Sequence, residues 1–291
     1  MDNAKYHTLT HMQSATMLKT LYRDAGEYER KYVSETEPAD DLSGKTQVMI
    51  GDAVHQVLLD KKDIEDVACI YPEDCFKSNG TLNPKPAKEY RLEMAADNKM
   101  VLKDSDFKRV VGACNAAMKD DLGTLLNLDG AEFEEPLFWT DASTGLACKC
   151  RPDFMYAGEH SVGCYDLKVS ADVAPRNWER IAKNLLYWLQ DAHYSSGIAQ
   201  KYQKPVTFEF WVIESVVPHR IVQYQFDPIS RERAGEAYGK LLADLKDRKE
   251  NNYWREDWEE ESQMLTLNPW DIKNSEDELE GFDVKAIQTQ G

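Results

Sequence analysis

The sequence predicts an α/β protein with a mixed β-sheet flanked by helices. Three features carry this prediction. Residues 148–169 fold back on themselves as a β-hairpin, and residues 205–214 (PVTFEFWVIE) are apolar on both faces, as a central strand requires. A long helical stretch separates the two, so the strand–helix–strand order over 161–214 allows a right-handed parallel crossover. A hairpin joined to a parallel crossover makes the sheet mixed.

The elements follow in order. Residues 6–33 predict one or two helices, with Ser14 placed to start one. Residues 34–47 (SETEPADDLSGKTQ) predict a polar loop. Residues 48–60 predict a helix with Val54, Val57, Leu58 and Leu59 on its apolar face, where Gly51 and Ala53 leave room for close approach. Residues 61–104 mix short turns with Asn, Gly and Pro and are expected to be an insertion. Residues 105–127 predict one helix opened by Ser105 or Asp106, with Val110, Val111, Cys114, Ala117 and Met118 at helical spacing. Residues 132–139 predict a first core strand, on which Glu135 shares a face with Leu137 and Trp139 and so becomes a second-tier candidate for the site.

After the hairpin, SADVAP caps a single long helix with Pro175 near its first turn. At about 100° per residue, Ile181, Leu185, Trp188 and Ala192 fall in one sector. Arg176, Lys183, Tyr187, Gln190, Tyr194 and Lys201 fall in the opposite one, a basic, amide-bearing and aromatic stripe suited to phosphates and bases. Residues 219–226 predict another strand and 229–250 an amphipathic helix. The expected organisation is one domain over 1–270, comprising a helical and loop segment at 6–47 and a core at 48–250, followed by an acidic, disordered tail at 271–291.

With 291 residues the chain is long enough for a substantial core. It has no apolar run of membrane-spanning length, and its first residues lack the apolar segment of a signal peptide, so a cytoplasmic protein is expected. The six cysteines are then free thiols. The net charge of −17 argues against a simple nucleic-acid binder. That charge is uneven, however. From residue 251 onward eleven acids face three bases, whereas 176–204 holds Arg176, Arg180, Lys183, Lys201 and Lys204 against Glu179 and Asp191.

The chemistry converges on the hairpin. Counting inward from Asp153 and Asp166, the two meet midway between Glu159 and His160, inside the turn candidates Gly158–Ser161. Asp153 then lies opposite Asp166, with Cβ atoms roughly 5 Å apart, and Lys168 projects on the same face. Tyr165, Leu167 and Val169 occupy the other face as core. Two carboxylates this close raise each other's pKa unless a cation lies between them, and Mg²⁺, which takes oxygen ligands and keeps positions for water and phosphate, suits the place. Lys168 can orient an attacking water or stabilise charge developing on a phosphate.

These residues carry a resemblance. Pro152-Asp153 followed by Asp166-Leu167-Lys168 matches the PD-(D/E)xK nuclease signature, and Gln190 with Tyr194 matches the Q-x-x-x-Y element of its RecB-like branch. GDAVHQVLLD (51–60) resembles that branch's G-x-A-x-H-x-x-L-L segment, with His55 at the histidine. EPLFWTDASTGLACKCRPDF (135–154), YHTLTHMQSATMLKTLY and LTLNPW (265–270) are similar to the RecE-type, exonuclease-eight-like subgroup. The resemblance spans about residues 6–270, in order.

What it implies is a restriction-endonuclease-like fold and a metal-dependent exonuclease. The expected substrate is linear double-stranded DNA, cut 5′→3′ to leave 3′ overhangs for recombination. The implied partners are DNA ends, further copies of the chain in a ring and a RecT-like annealing protein, in a phage or prophage setting. Asp153 and Asp166 are expected to hold Mg²⁺ (or Mn²⁺) with His55 as a further ligand, and Lys168 to serve catalysis. Gln190, Tyr194, Arg151, Ser14, Lys183 and Tyr187 are expected to meet DNA; for Ser14 the resemblance is the reason, because in related exonucleases a serine and basic groups from the kind of segment that here contains Ser14 and Lys19 help to hold the 5′ end. Some RecB-like relatives carry an iron–sulfur cluster on cysteines after the Q-x-x-x-Y helix. No cysteine follows Cys164, so no such cluster is expected. Two alternatives remain open: a Cas4-like or RecB-like nuclease acting on single strands, and a catalytically inactive DNA-binding module.

Overall fold

The computed structural model describes residues 5–6, 8–38, 45–259, 262 and 264–267. Two compact units are distinguished, Met1–Trp254 and Arg255–Gly291. The second contributes a short 3₁₀ turn, Asp257–Glu259, and the exposed Met264, Leu265 and Leu267. The expected disordered tail at 271–291, and the last three residues of LTLNPW, lie outside the described residues.

In chain order the first unit runs α1 (Ala15–Arg23), α2 (Ala25–Tyr32), α3 (Thr46–Leu58), α4 (Ile64–Val67), β1 (Ala68–Ile70), α5 (Pro84–Ala96), β2 (Met100–Leu102), α6 (Asp104–Ala117) and α7 (Asp121–Leu126). It continues through β3 (Glu132–Phe133), β4 (Leu137–Thr140), β5 (Ala147–Cys150), β6 (Phe154–Ala157), β7 (Val162–Ser170), α8 (Pro175–Asn184) and α9 (Tyr187–Tyr202). β8 (Val206–Glu214), β9 (Ile221–Tyr224) and α10 (Pro228–Asn251) complete it.

The main sheet is mixed, with strand order β3-β6-β7-β8-β9. Only the β7–β8 pair is parallel, from Val162↔Val206 to Ser170↔Glu214. Alternation along the strands separates two apolar layers. Leu167, Trp211 and Ile213 pack with α3, α6 and α7 through Ile50, Val54, Leu58, Val110 and Leu122. Cys164, Phe208, Phe210 and Val212 face the other way, onto Trp178 of α8 and Ile198 of α9. The restriction-endonuclease-like arrangement, a mixed sheet between helices, is therefore present, and β8 is the central strand that its two apolar faces require.

Four predicted elements come out differently. The strand 132–139 is broken at Glu134, whose φ is +46°, and Pro136 has no N–H to continue a ladder. β3 joins the main sheet, whereas β4 leaves to pair with β5. The long helix after Lys168 is two helices, because Leu186 adopts φ +52° and resets the phase between α8 and α9. Leu185, which a single helix would align with Ile181, Trp188 and Ala192, is consequently 45% exposed. The 105–127 helix begins earlier, at Asp104 without a side-chain cap, and ends at Ala117. Asp120 then caps α7 by accepting from the Leu122 N–H. The insertion at 61–104 is structured around a parallel β1–β2 pair and α5, with its own core of Tyr71, Cys75, Ala87 and Val101.

The N-terminal segment is tied to the site by backbone pairing. Gln13 N–H donates to Ala147 O at 2.8 Å, and Lys149 N–H donates to Gln13 O at 2.8 Å. Ser14 caps α1 by accepting from Met17 N–H at 3.3 Å. Met17, Leu18 and Leu21 are buried against α9 and α10. At about 1.5–3 kcal/mol per buried large apolar side chain, this packing far outweighs any propensity term for so short a helix. All six cysteines are free thiols. Among the described residues no helix is long and apolar enough to cross a membrane.

Candidate active site

The β6–β7 ladder pairs Phe154↔Tyr165 through Ala157↔Val162 around a four-residue turn. Asp153, one residue before β6, therefore stands across from Asp166, the register that counting predicts. Asp153 is fixed by a 2.6 Å hydrogen bond from the Leu167 backbone N–H. Asp166 and Lys168, two apart on β7, leave the sheet on the face covered by α9, with Lys168's ammonium against Asp166 Oδ1.

Asp166 is only 2% exposed. Its Oδ2 accepts from the Gln190 side-chain amide, while Oδ1 touches the Lys168 ammonium but has no partner in hydrogen-bonding geometry. Burial and the charge of Asp166 push the Asp153 carboxyl up to about 6, against the pull of His55 and Lys168. Burial disfavours the Lys168 ammonium, yet Asp166 and Asp153 together outweigh it and hold its pKa above the ordinary lysine value.

His55 comes from α3, on the opposite side of the sheet. Its Nε2–H donates to Leu167 O at 3.0 Å, and its Nδ1 lies 4.0 Å from Asp153 Oδ2. Donation through Nε2 leaves Nδ1, the nitrogen near Asp153, with the ring's lone pair, as in a metal-binding histidine oriented by a carbonyl. Among the described residues no three His, Cys, Asp or Glu side chains stand gathered as a ready-made cage. Two facing carboxylates, Asp153 raised by burial and by its neighbour, a buried Asp166 oxygen without a hydrogen-bond partner and a nearby imidazole nitrogen nevertheless fit a hard divalent cation that keeps several waters.

The α9 residues are brought to the same place. Gln190 holds Asp166 with its amide nitrogen and accepts from Lys19 Nζ at 3.3 Å with its oxygen. Tyr187 presents its ring to Lys168 at 5.2 Å and to Lys19 at 5.0 Å, backed by Phe210 with ring centroids 5.3 Å apart. Burial, with Lys168 beside it, pushes the Lys19 ammonium down to about 7. Tyr194 spends its hydroxyl on Arg151 O at 3.4 Å, bracing the segment that leads into Asp153.

A cavity of about 420 Å³ opens beside this group, lined by Tyr6, Thr10, Ser14, Lys149, Arg151 and Tyr194 among others. Lys149 Nζ donates to Tyr6 O at 2.7 Å and lies 4.6 Å over the Tyr6 ring, which also meets Arg151 at 5.6 Å. A larger, more polar cavity of about 1070 Å³ is lined by Asp52, His55, Glu134 and Arg151 among others.

Two expected site residues lie elsewhere. Glu135 is exposed in the loop between β3 and β4, because the strand that was to aim it inward is broken. Its neighbour Glu134 is the one at the site: its N–H donates to Asp153 O at 3.0 Å and its carboxylate lies 3.7 Å from Arg151. Lys183 is exposed on α8 and paired with Glu179 at 2.6 Å, since the break at Leu186 turns α8 out of phase with α9. Glu134 and Lys149 had no assigned role in the sequence, and Lys19 was named only with the segment expected to hold the 5′ end. Only Lys19 carried a signal, its place in the segment of Ser14.

No curated protein matches the chain. Among solved structures, it is similar to a protein of Eubacterium rectale described as a candidate exonuclease, with a TM-score of 0.57 at 13% identity over 94% of this chain and 98% of that one. At that identity the likeness speaks for the fold alone. A second structure, SSO0001, aligns over 65% of this chain and 85% of that one at 15% identity, with a TM-score of 0.27, too slight to argue from. The model of a PDDEXK-like domain of unknown function (DUF3799) matches residues 14–261, a span that takes in every member of the carboxylate–lysine group just described. The chain belongs to this PDDEXK-like family, and so to the PD-(D/E)xK nuclease superfamily.

Proposed function

We propose that the chain is a divalent-metal-dependent exodeoxyribonuclease that degrades linear double-stranded DNA 5′→3′ and leaves 3′ single-stranded overhangs for recombination. The observation that carries this reading is the convergence of Asp153, Asp166 and Lys168 on one sheet face, with Gln190 bonded to Asp166. Asp153, Asp166 and His55 would hold the cation. When bound, it polarises a phosphoryl oxygen and lowers the pKa of water. Gln190 fixes the rotamer of Asp166, and the Leu167 N–H fixes that of Asp153. Lys168 presents a compact positive charge on the carboxylate face, where charge develops on the phosphate as the leaving oxygen departs.

Polarity is supported by the cavity that holds Ser14, Lys149 and Arg151. Its hydroxyl and cations suit a terminal phosphate, and Arg151 lies only two residues before Asp153. An acidic exterior around cationic recesses keeps DNA off the rest of the surface. A ring of subunits and a RecT-like annealing protein that takes up the overhang belong to the same proposal.

The test compares 5′-phosphorylated linear duplex, the same duplex with 5′-hydroxyl ends, and closed circular duplex, each with Mg²⁺, Mn²⁺ or EDTA. Progressive loss of the phosphorylated linear duplex, with sparing of the circle and no cleavage in EDTA, is the expected result. Preferential cleavage of single strands would favour the Cas4-like reading. Binding without cleavage under every ion would favour an inactive module.

A further inference from the structure

We propose that Lys19 is a second catalytic cation, contacting a non-bridging oxygen of the scissile phosphate beside Lys168. This rests on the nuclease reading and concerns the cleaved linkage, not the terminal phosphate.

Lys19 belongs to α1, yet its ammonium is joined to the carboxylate group through a single neutral bridge: it donates to Gln190 Oε1, and the other end of that amide donates to Asp166. It also shares the Tyr187 ring with Lys168. Two ammonium groups thus approach one aromatic surface at the catalytic carboxylates.

Lys168 has Asp166 against it, whereas among the described residues no carboxylate lies within 4.0 Å of Lys19. A partly buried ammonium satisfied only by a neutral amide and a ring face is costly, and Lys168 beside it adds to that cost. An anion arriving in the site relieves both. Asp153 and Asp166 together neutralise one divalent cation, which leaves Lys168 and Lys19 as two uncompensated positive charges. The transition state for hydroxide attack on a phosphodiester carries two negative charges, spread over its equatorial oxygens. The cluster with Lys19 included matches that charge; without Lys19 it falls one short.

The balance of the step is that of hydrolysis. The water oxygen forms a bond to phosphorus, the bond from phosphorus to the leaving oxygen breaks, and one proton passes from water to that oxygen or to solvent. Lys19 donates no proton to the reaction and acts by its charge, in the protonated form that an arriving phosphate favours.

Lys19→Met and Lys19→Arg are compared with the full-length wild type by single-turnover cleavage, DNA affinity and Mg²⁺ calorimetry. Lys19→Met is expected to slow the bound complex ~10²–10³-fold, the effect of removing one transition-state donor. DNA affinity is expected to fall far less, and Mg²⁺ binding to hold or improve. The wild-type preference for 5′-phosphate over 5′-hydroxyl ends is expected to survive, and Lys19→Arg to recover part of the rate. A Lys19→Met rate close to wild type overturns the inference. So does selective loss of the 5′-phosphate preference, which would place Lys19 at the terminus, and so does loss of Mg²⁺ binding in step with the rate, which would make it structural. A wild type that cleaves nothing overturns the nuclease reading itself, and this inference with it.

Discussion

Replacing Lys168 by methionine keeps the stem and removes the charge, and so separates what the lysine does for the fold from what it does for the reaction. In the resting chain the ammonium lies against an Asp166 carboxylate that is 2% exposed, and it helps to restrain the raised pKa of Asp153. Taking away one partner of a buried ion pair costs about 3–5 kcal/mol, because the other charge stays behind. The Lys168 side chain is 21% exposed, so the lower end, about 3 kcal/mol, applies to the metal-free protein above neutral pH. The sign of the pH dependence follows from proton binding. Without the ammonium the folded-state pKa of Asp153 rises further above the unfolded value, so the folded form takes up a proton first. The penalty is therefore largest at high pH and shrinks as pH falls through the raised folded pKa. A divalent cation offsets the same penalty at constant pH. Turnover should fall ~10²–10³-fold even with metal saturating. Urea unfolding at alkaline and mildly acidic pH, with and without Mg²⁺, read beside single-turnover cleavage, checks both halves. A Lys168→Met protein with near-normal turnover, or a stability loss indifferent to pH and to metal, refutes the assignment.

Three further outcomes are expected. Asp153→Ala or Asp166→Ala abolishes cleavage while duplex binding persists in a gel-shift assay, and His55→Ala is milder but changes the Mg²⁺/Mn²⁺ preference measured by initial rates. His193 is fully buried, donating from Nε2 to Lys149 O and accepting at Nδ1 from the Tyr238 hydroxyl, and burial pushes its pKa from 6.5 down to about 4. The neutral ring's contribution is intact above pH 6.5 and is lost as pH falls toward 4, by about 3 kcal/mol, so His193→Gln should flatten the acid limb of the unfolding free energy relative to wild type. Gly197 packs so closely on Trp139 that an added Cβ would lie 2.6 Å from its ring, and Gly197→Ala should lose about 1–3 kcal/mol in thermal or urea unfolding. Full retention of stability would show that α9 can shift there at little cost.

The α/β class, the hairpin and its catalytic face were legible in the sequence because they depend on short-range rules. A strand repeats every two residues and a four-residue turn has a countable midpoint, so Asp153, Asp166 and Lys168 could be placed on one face from spacing alone. The apolar run at β8 marked a strand buried on both sides for the same reason. Hydrophobic periodicity could not show the breaks at Glu134 and Leu186. A single residue at positive φ leaves the apolar pattern intact while redirecting all that follows, and packing of the separated segments, not their own propensity, stabilises it. From those two breaks came the exchange of Glu135 for Glu134 at the site and the outward turn of Lys183. The bond between Lys19 and Gln190 joins residues 171 positions apart. No local pattern encodes such a meeting; it exists because α1 buries its apolar side against α9 and α10, and that packing delivers the lysine to the carboxylates.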